Sequence, residues 1–314
     1  MITNLDPSSA LFAANLNSLE QRLDTANEQI SSGKKINVAS DAPDQIGELL
    51  QLRADQQHNS QVQSNLSLAQ TNATAADNAL QSAIQLMNTA TQLATQGANE
   101  TQTAATRTDL AQQVQSLQEE MVAYSQTQVQ GNYIFSGDQP QGPQYQLDLS
   151  APKGVDQLSI AASTQQIEDP AGGSFPASMT AQQIFDDTDT VTDADGNTTV
   201  VPASDNVFNA LNTLRVALLK NDQTGIANSL SLIRDASNQL NAADAFYGAV
   251  ENRVQDATNF ATNYGTQLQT EIGNMQDTDI PTADMQLTQD ETQLEAAFTI
   301  QGKMPTSTLF NYLG

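Results

Sequence analysis

Two long runs in this chain place an apolar residue at every third or fourth position without interruption. Such spacing puts the apolar side chains on one stripe of an α-helix, and a stripe sustained over many turns is typical of long helices that pack side by side. Small and large residues are interleaved in both runs, so the helix axes can approach closely. The first run is Leu66, Ala69, Ala73, Ala76, Leu80, Ala83, Met87, Ala90, Ala94, and the second is Ile233, Ala236, Leu240, Ala243, Tyr247, Val250, Val254, Ala257, Ala261, Tyr264, Leu268.

Shorter runs with the same spacing occur elsewhere in the chain. The first long run stops at residues 97–99, and the spacing resumes over residues 110–124. Near the end of the chain Asp290 occupies one position where the spacing calls for an apolar residue. The two terminal runs are predicted to pair with each other, and they comprise Leu16, Leu19, Leu23, Ala26, Ile30 and Ile280, Ala283, Leu287, Leu294, Ala297.

Residues 137–206 differ in kind, because glycine and proline recur there and interrupt any helix. Short segments such as 145–149 and 158–160 alternate polar with apolar residues, as strands do. The segment holds 11 acidic residues and a single base, Lys153, so we expect it to face solvent. The predicted fold is therefore mainly α: a long antiparallel helical bundle with coiled-coil termini and an inserted β-rich outer domain.

Composition narrows the class of protein. With 36 acidic residues against 11 basic ones, the chain would be repelled by nucleic acid and by anionic lipid surfaces, so neither is an expected partner. Aromatic residues are 5% of the chain and tryptophan is absent, which predicts a thin core of small side chains. There is no cysteine, which removes disulfides and thiolate chemistry. The first residues lack the basic start and apolar core of a cleaved signal peptide.

Candidate catalytic and metal-binding residues are few. The single histidine, His58, lies in a polar stretch without a second histidine or thiolate to complete a site, which favours a solvated helix surface. The acidic stretch 186–197 invites a calcium interpretation, but its glycine and its twelfth position do not fit an EF-hand loop. A β-hairpin with Asp195-Gly196 at its tip is favoured, and an irregular calcium site stays open. The sequence therefore predicts no enzyme, no cofactor and no metal.

Three patches carry a resemblance to a known family. Residues 29–53 resemble the spoke region of the flagellin superfamily, in which a helix ends at a Ser-Gly-basic-basic turn and a second helix follows. Residues 40–43, Ser-Asp-Ala-Pro, and residues 131–137, Gly-Asn-Tyr-Ile-Phe-Ser-Gly, are similar to the hook-filament junction proteins of that superfamily, the hook-associated protein 3 family. The ending Ser-Thr-Leu-Phe-Asn-Tyr-Leu at 307–313 also resembles this family.

The resemblance implies a structural subunit of the bacterial flagellum that is exported unfolded through the type III apparatus, without a cleaved signal peptide, to the hook-filament junction. Implied partners are an export chaperone and other flagellar axial proteins, namely hook-associated protein, flagellin and copies of the chain itself. Gly33 would take the left-handed conformation that ends one helix, while Asp41 and Pro43 begin the next. The implied spoke turn is Gly33, Lys34, Lys35, Asp41, Pro43, and the implied assembly contacts are Leu16, Leu19, Leu23, Ala26, Ile30, Leu287, Leu294, Ala297, Leu309, Phe310, Leu313.

Five segments follow from this interpretation. They are an N-terminal axial-core helix with the spoke turn (1–43), the first half of the bundle (44–136), the outer domain (137–206), the second half of the bundle (207–276) and a C-terminal axial-core helix (277–314). Two alternatives stay open. One is a filament-forming flagellin of the same superfamily, and the other is a secreted adhesin or binding protein that uses the acidic insert.

Overall fold

The computed structural model describes residues 7–193 and 196–303. Helices account for most of this part of the chain, as the sequence predicts. They are α1 (Pro7–Ser32), α2 (Ile46–Ala98), α3 (Ala104–Ser125), α4 (Ala181–Phe185), α5 (Val207–Leu219), α6 (Gln223–Gln276) and α7 (Ile280–Lys303).

The strands form four separate antiparallel pairs, all between α3 and α5. The last of these pairs is the hairpin predicted around residue 196. In order, the pairs are β1 (Gln128–Val129) with β2 (Asn132–Tyr133), β3 (Tyr145–Leu147) with β4 (Val155–Gln157), β5 (Gln166–Glu168) with β6 (Ser174–Pro176), and β7 (Thr188–Thr192) with β8 (Thr198–Pro202).

The chain divides into two compact units. The larger unit comprises residues 59–263, and the smaller unit is formed by the described residues up to His58 together with those from Tyr264 onward. The main hydrophobic core lies wholly within the larger unit, between Val62 and Ala261. In the smaller unit α1 packs against α7.

In the larger unit, the two long apolar runs meet as α2 packs antiparallel to α6. The Asn59 amide donates to the Ala261 carbonyl over 2.9 Å, and the Thr74 hydroxyl donates to a Glu251 carboxylate oxygen over 2.7 Å. Ala73 and its neighbours along the seam are fully buried, so the small residues set the spacing between the two helices.

The core is not thin everywhere, and here the expectation from composition is wrong. Six aromatic side chains are buried where the strand segment meets the bundle. Few aromatic residues suffice, because the chain concentrates them at one place instead of spreading them along the helices. They are Phe135, Tyr145, Phe175, Phe185, Phe208 and Tyr247.

Residues 137–206 also differ from the expectation of a solvent-facing segment without helix. The short helix α4 lies inside it, started by a capping box in which Thr180 and Gln183 exchange hydrogen bonds. Phe175 and Phe185 are buried, whereas most of the β7–β8 hairpin is exposed. Residues 158–160, predicted as strand, lie just beyond β4 in irregular structure.

Candidate assembly surface

The terminal helices α1 and α7 form an antiparallel pair. The Arg22 guanidinium on α1 lies 2.9 Å from a carboxylate oxygen of Asp290 on α7. Toward the start of α1, Asn15 lines the same groove as Ala297, and toward its end Gln29 lines the same pocket as Ala283. The terminal apolar runs therefore face each other, as the sequence predicts.

The predicted assembly residues differ in how far this pairing covers them. Leu19 and Ala26 are buried within the α1–α7 interface. Leu309, Phe310 and Leu313 lie outside the described residues. The other predicted contacts are half-buried, so each keeps surface that a further partner could cover; they are Leu16, Leu23, Ile30, Leu287, Leu294 and Ala297.

Several large apolar side chains of α1 and α7 are more exposed than any of the predicted contacts that the structure describes. Leu11 is 66% exposed, Met285 68%, Phe298 51% and Ile300 59%. Next to Leu11 and Ile300 runs a groove of roughly 410 Å³ between the two helices, lined among others by Phe12, Leu16, Ala297 and Ile300. Phe298 and Ile300 are two positions apart on α7, so they flank the predicted stripe on either side, and the apolar spacing therefore gave no signal for them.

The predicted spoke turn docks on the turn between α6 and α7. Gly33 has a φ of 71°, the left-handed conformation that the sequence predicts at the end of α1. Lys34 pairs with Asp277 in an antiparallel bridge, and the Lys35 backbone N–H donates to the Gln276 carbonyl over 2.7 Å. The Thr278 N–H donates back to the Gly33 carbonyl over 3.0 Å. These bonds join the first and last helices of the chain at one end of their pairing.

The second half of the spoke turn is ordered by Asp41 rather than by a helix start at that residue. One Asp41 carboxylate oxygen accepts the backbone N–H groups of Asn37 and Val38, each over 2.8 Å. Residues 42–45 form a turn that contains the exposed Pro43, and α2 begins only at Ile46. Proline suits this turn because its fixed φ matches the entry into a helix.

The lysines of the spoke turn are exposed. The Lys35 ammonium donates to the Asn274 carbonyl over 3.1 Å, near the C-terminal end of α6. A cation stabilises the carbonyl groups that a helix end leaves without partners. The basic residues therefore contribute to docking the turn.

The strand segment leaves the bundle at the sequence patch 131–137. Gln130 and Gly131 both have positive φ and make the turn of the β1–β2 hairpin. Immediately after it, Phe135 is buried, with its ring 5.7 Å from that of Phe185 and 6.0 Å from that of Tyr247. An aromatic anchor thus fixes the strand segment to α6.

Polar side chains of α3 and α5 hold the loop between β3 and β4 by its carbonyl groups. Gln118 donates to the Lys153 carbonyl over 3.3 Å, and Asn212 donates to that of Pro152 over 2.8 Å. Gly154 has a φ of 74°, and a Cβ there would collide with the Gln118 side chain. The amide nitrogens of both side chains thus find carbonyl partners, whereas the Oε1 atom of Gln118 is buried without a partner among the described residues.

The one base of the insert, Lys153, forms an ion pair with Asp186, a residue of the predicted acidic stretch. Its ammonium lies 2.6 Å from both carboxylate oxygens of Asp186, which is fully buried, and Asn206 donates to the same carboxylate over 2.7 Å. Burial, followed by the neighbouring Asp186 charge, raises the pKa of the Tyr145 hydroxyl. The Asp186 carboxylate thus accepts hydrogen bonds from donors of the protein itself.

The role of Arg107 on α3 could not be predicted from the sequence. Its guanidinium is buried and donates to the Gly97 and Asn99 carbonyls over 2.8 and 3.1 Å. It also donates to the Asn221 side chain over 2.5 Å. The end of α2 and the turn between α5 and α6 are thereby joined through one side chain, which satisfies carbonyls that a helix end exposes.

The next features are the single histidine, the grouping of residues that could bind a metal ion, and the apolar character of the helices. His58 is exposed on α2. In residues 7–193 and 196–303, no three histidine, cysteine or acidic residues are grouped so that they could hold a metal ion. None of the helices described combines the length and the apolar character that a membrane span requires.

Two family models match the sequence, and together they cover more than two thirds of it. One describes the bacterial flagellin N-terminal helical region and matches residues 4–139. The other describes the bacterial flagellin C-terminal helical region and matches residues 230–313. The chain belongs to the bacterial flagellin family. Membership makes it a structural component of the bacterial flagellum, and the parts that the family shares contain α1, α2 and α3 in the first region and most of α6 with α7 in the second.

Solved structures with the same fold include several flagellar proteins. A putative flagellar hook-associated protein from Vibrio parahaemolyticus aligns with a TM-score of 0.61 at 20% identity, over 76% of this flagellin-family chain and 100% of its own. Hook-associated protein 3 from Legionella pneumophila aligns at 0.55 and 13% identity, over 71% and 98%. FlgL from Bacillus cereus aligns at 0.54 and 15%, over 71% and 99%. A comparison with curated protein sequences found no significant match.

Proposed function

We propose that this flagellin-family chain joins the hook to the filament of the flagellum and that it is not an enzyme. The observation that carries the proposal is the extent of the likeness to hook-associated proteins, whose chains align over 98% to 100% of their length. The Ser-Asp-Ala-Pro spoke sequence at 40–43 supports the same branch of the family. A subunit of this kind acts by its contacts, so its functional residues are those that a neighbouring subunit covers.

Assembly would proceed through the terminal helices, in which one set of residues makes contacts within the chain and another set makes contacts between subunits. The inward residues, such as Leu19 and Ala26, hold α1 and α7 together within one chain. The outward residues Leu11 and Ile300, beside the groove, supply the contact between subunits. An exposed apolar group of this size is typical of an interaction surface. Its partner is another axial protein: hook-associated protein, flagellin or a second copy of the chain.

Export through the type III apparatus without a cleaved signal peptide belongs to the same proposal. A chain without cysteine carries no cross-link that would hinder passage in an unfolded state. Before assembly, an export chaperone would cover the apolar residues of the terminal helices. The five segments given above, from the N-terminal axial-core helix to the C-terminal one, describe the assembled subunit in this proposal.

The test is binding of the purified full-length chain to isolated hooks that carry their other junction proteins, followed by electron microscopy and light scattering. We expect a monomer in solution that binds at hook ends, and we expect Leu11→Asp with Ile300→Asp to abolish the binding because charge beside the groove opposes its burial. Val200→Asp is the matched control, since Val200 is 71% exposed on the β7–β8 hairpin.

Other outcomes support other functions. Long filaments formed by the chain alone would favour a filament-forming flagellin and overturn the junction proposal. Absence of binding to hooks, combined with measurable affinity of the intact chain for a ligand that Val200→Asp weakens, would favour an adhesin that uses the insert. Equal binding by the groove variant and the parent would contradict the proposed contact surface.

A further inference from the structure

A carboxylate lies inside the α1–α7 interface where the apolar spacing calls for an apolar residue, and its cation is the half-exposed Arg22 at the edge of that interface. Asp290 is 3% exposed, and its Oδ1 accepts from the Arg22 guanidinium over 2.9 Å. The same guanidinium nitrogen also donates to Gln293 over 3.1 Å. The second carboxylate oxygen of Asp290 is buried and has no hydrogen-bond partner among the described residues.

Such a pair is a poor choice for stability alone. Removing a carboxylate from water carries a large free-energy cost, and one unpaired oxygen leaves that cost incompletely offset. An apolar side chain of similar volume at this position is often as stabilising or more so. Stability therefore does not explain the pair. Its other possible effect is on alignment, that is, on which residues of α7 lie opposite which residues of α1.

The rest of the interface distinguishes alignments weakly. Its buried residues on α1 are Leu19 and Ala26, and on α7 the one buried apolar residue in the described part is Ala283. Because the apolar spacing repeats every seven residues, sliding one helix by seven residues again brings apolar stripe against apolar stripe. The apolar area that is buried changes little in such a slip, because apolar residues recur at the same positions of the repeat.

The charged pair changes greatly in the same slip. Moving α7 by seven residues in one direction sets Asp290 opposite Asn15 and Arg22 opposite Ala283. Moving it in the other direction sets Asp290 opposite Gln29, with Arg22 opposite Ala297. Either slip separates a buried carboxylate from its cation and leaves a neutral amide opposite it, which is unfavourable.

The spoke turn does not make this pair redundant. Its bonds to residues 276–278 fix one end of the helix pair. Arg22 lies 12 residues before Lys34, or about 18 Å along a helix at 1.5 Å per residue. A second fixed point at that distance determines how the helices continue beyond the turn.

We propose that the Arg22–Asp290 pair sets the axial alignment of α1 and α7. A polar residue at one seam position of a coiled coil selects register in the same way, at a cost in stability. The inference concerns one chain by itself and does not depend on the function proposed above.

Engineered cysteine pairs report the alignment directly, because the chain has no cysteine of its own. Asn15→Cys with Ala297→Cys reports the native alignment, since both residues line one groove. Ser18→Cys with Gln301→Cys and Gln21→Cys with Asp284→Cys report slips of seven residues in the two directions. In the native alignment each slip pair is offset by about 10 Å along the helices, too far for a disulfide.

In the full-length parent we expect the native cross-link alone. Asp290→Leu should give at least about threefold more slipped product without a lower melting temperature, because the seam is then apolar throughout. Exchanging the charges, with Arg22→Asp and Asp290→Arg together, should restore the native product. Glu291→Leu, at an exposed neighbouring position, is the control and should change nothing.

Two results would overturn the proposal. One is Asp290→Leu that still forms only the native cross-link, which would assign the alignment to the spoke turn. The other is a parent that forms no native cross-link, which would mean that α1 and α7 do not pair in the isolated chain. Neither result depends on binding to hooks, so the function proposed above can fail or hold independently.

Discussion

At the scale of single residues, the buried polar side chains of the larger unit act mainly on backbone carbonyl groups. Arg107 is the clearest case. Its guanidinium donates to the Gly97 and Asn99 carbonyls at the end of α2 and to the Asn221 side chain, rather than to a carboxylate. A helix that ends inside the structure needs donors for its last carbonyl groups, and here the guanidinium supplies them. Removing it leaves the Gly97 carbonyl buried without its donor.

We therefore expect Arg107→Ala to lower the free energy of unfolding by roughly 2–3 kcal/mol, the range for losing hydrogen bonds to a charged group. Urea unfolding followed by circular dichroism measures this value. Arg234→Ala, at an exposed position on α6, is the control and should stay within about 0.5 kcal/mol of the parent. Equal values for the two variants would contradict the role given to Arg107.

Two half-buried carboxyl groups meet between α2 and α6. Burial, and then a hydrogen bond and repulsion with Asp77, raise the pKa of Asp244. Gln81 donates to the Oδ2 atom of Asp77 over 2.9 Å, while the Oδ1 atom of Asp244 is buried without a partner among the described residues. A hydrogen bond between two carboxyl groups requires one proton, so the pair is favourable only when that proton is bound.

The folding stability of the chain should therefore depend on whether this proton is bound. A pKa that is higher in the folded chain contributes stability below the ordinary aspartate pKa of about 4, and the contribution is lost as pH rises through the folded value. Asp244→Asn keeps a donor without a charge, so its gain in melting temperature over the parent should be larger at pH 7 than at pH 4. Asp256→Asn, at an exposed position on α6, should show no such difference between the two pH values.

Residues that act through backbone geometry were easier to predict than residues that act through distant partners. Gly33 could be placed in the left-handed conformation from its neighbours in sequence alone. Arg107 and Lys153 could not, because their partners at residues 221 and 186 are brought near only by the fold. Asp290 lies between these cases: the spacing marked it as an exception, but not its partner Arg22.

At the scale of elements, the long helices were predictable and the strands much less so. The apolar spacing extends over many turns in α2 and α6. A pattern repeated that often predicts a helix even where single residues have other preferences. Most of the strands have two or three residues and depend on what packs against them. Helix α4 did have a local signal, the capping box at 180–183, which the surrounding glycine and proline residues obscured.

The aromatic cluster shows that whole-chain composition cannot predict where aromatic residues gather in the fold. Composition counts residues over the whole chain, whereas packing depends on where they gather. Phe135 and Phe185 are 50 positions apart in sequence, yet their rings lie 5.7 Å apart. The resulting anchor could not be derived from a percentage, although the patch that contains Phe135 was identified by resemblance.

At the scale of the whole molecule, the main core lies within one continuous stretch of chain. All of its buried residues lie between Val62 and Ala261. We therefore expect residues 59–263, expressed alone, to fold and to unfold cooperatively on heating, since the fragment keeps that core intact. Circular dichroism against temperature tests this expectation, with the full-length chain as the reference. A fragment without a cooperative transition would show that the terminal helices are required for folding.

The β7–β8 hairpin offers a practical use. Most of its residues are exposed, and Val191 and Val200 on opposite strands bury little surface. Foreign peptides placed at such a loop tip displace no core side chain, so the hairpin suits the display of an epitope. A cysteine introduced at Thr190 would carry one dye per subunit, and stepwise photobleaching of single flagella would then count the subunits in each.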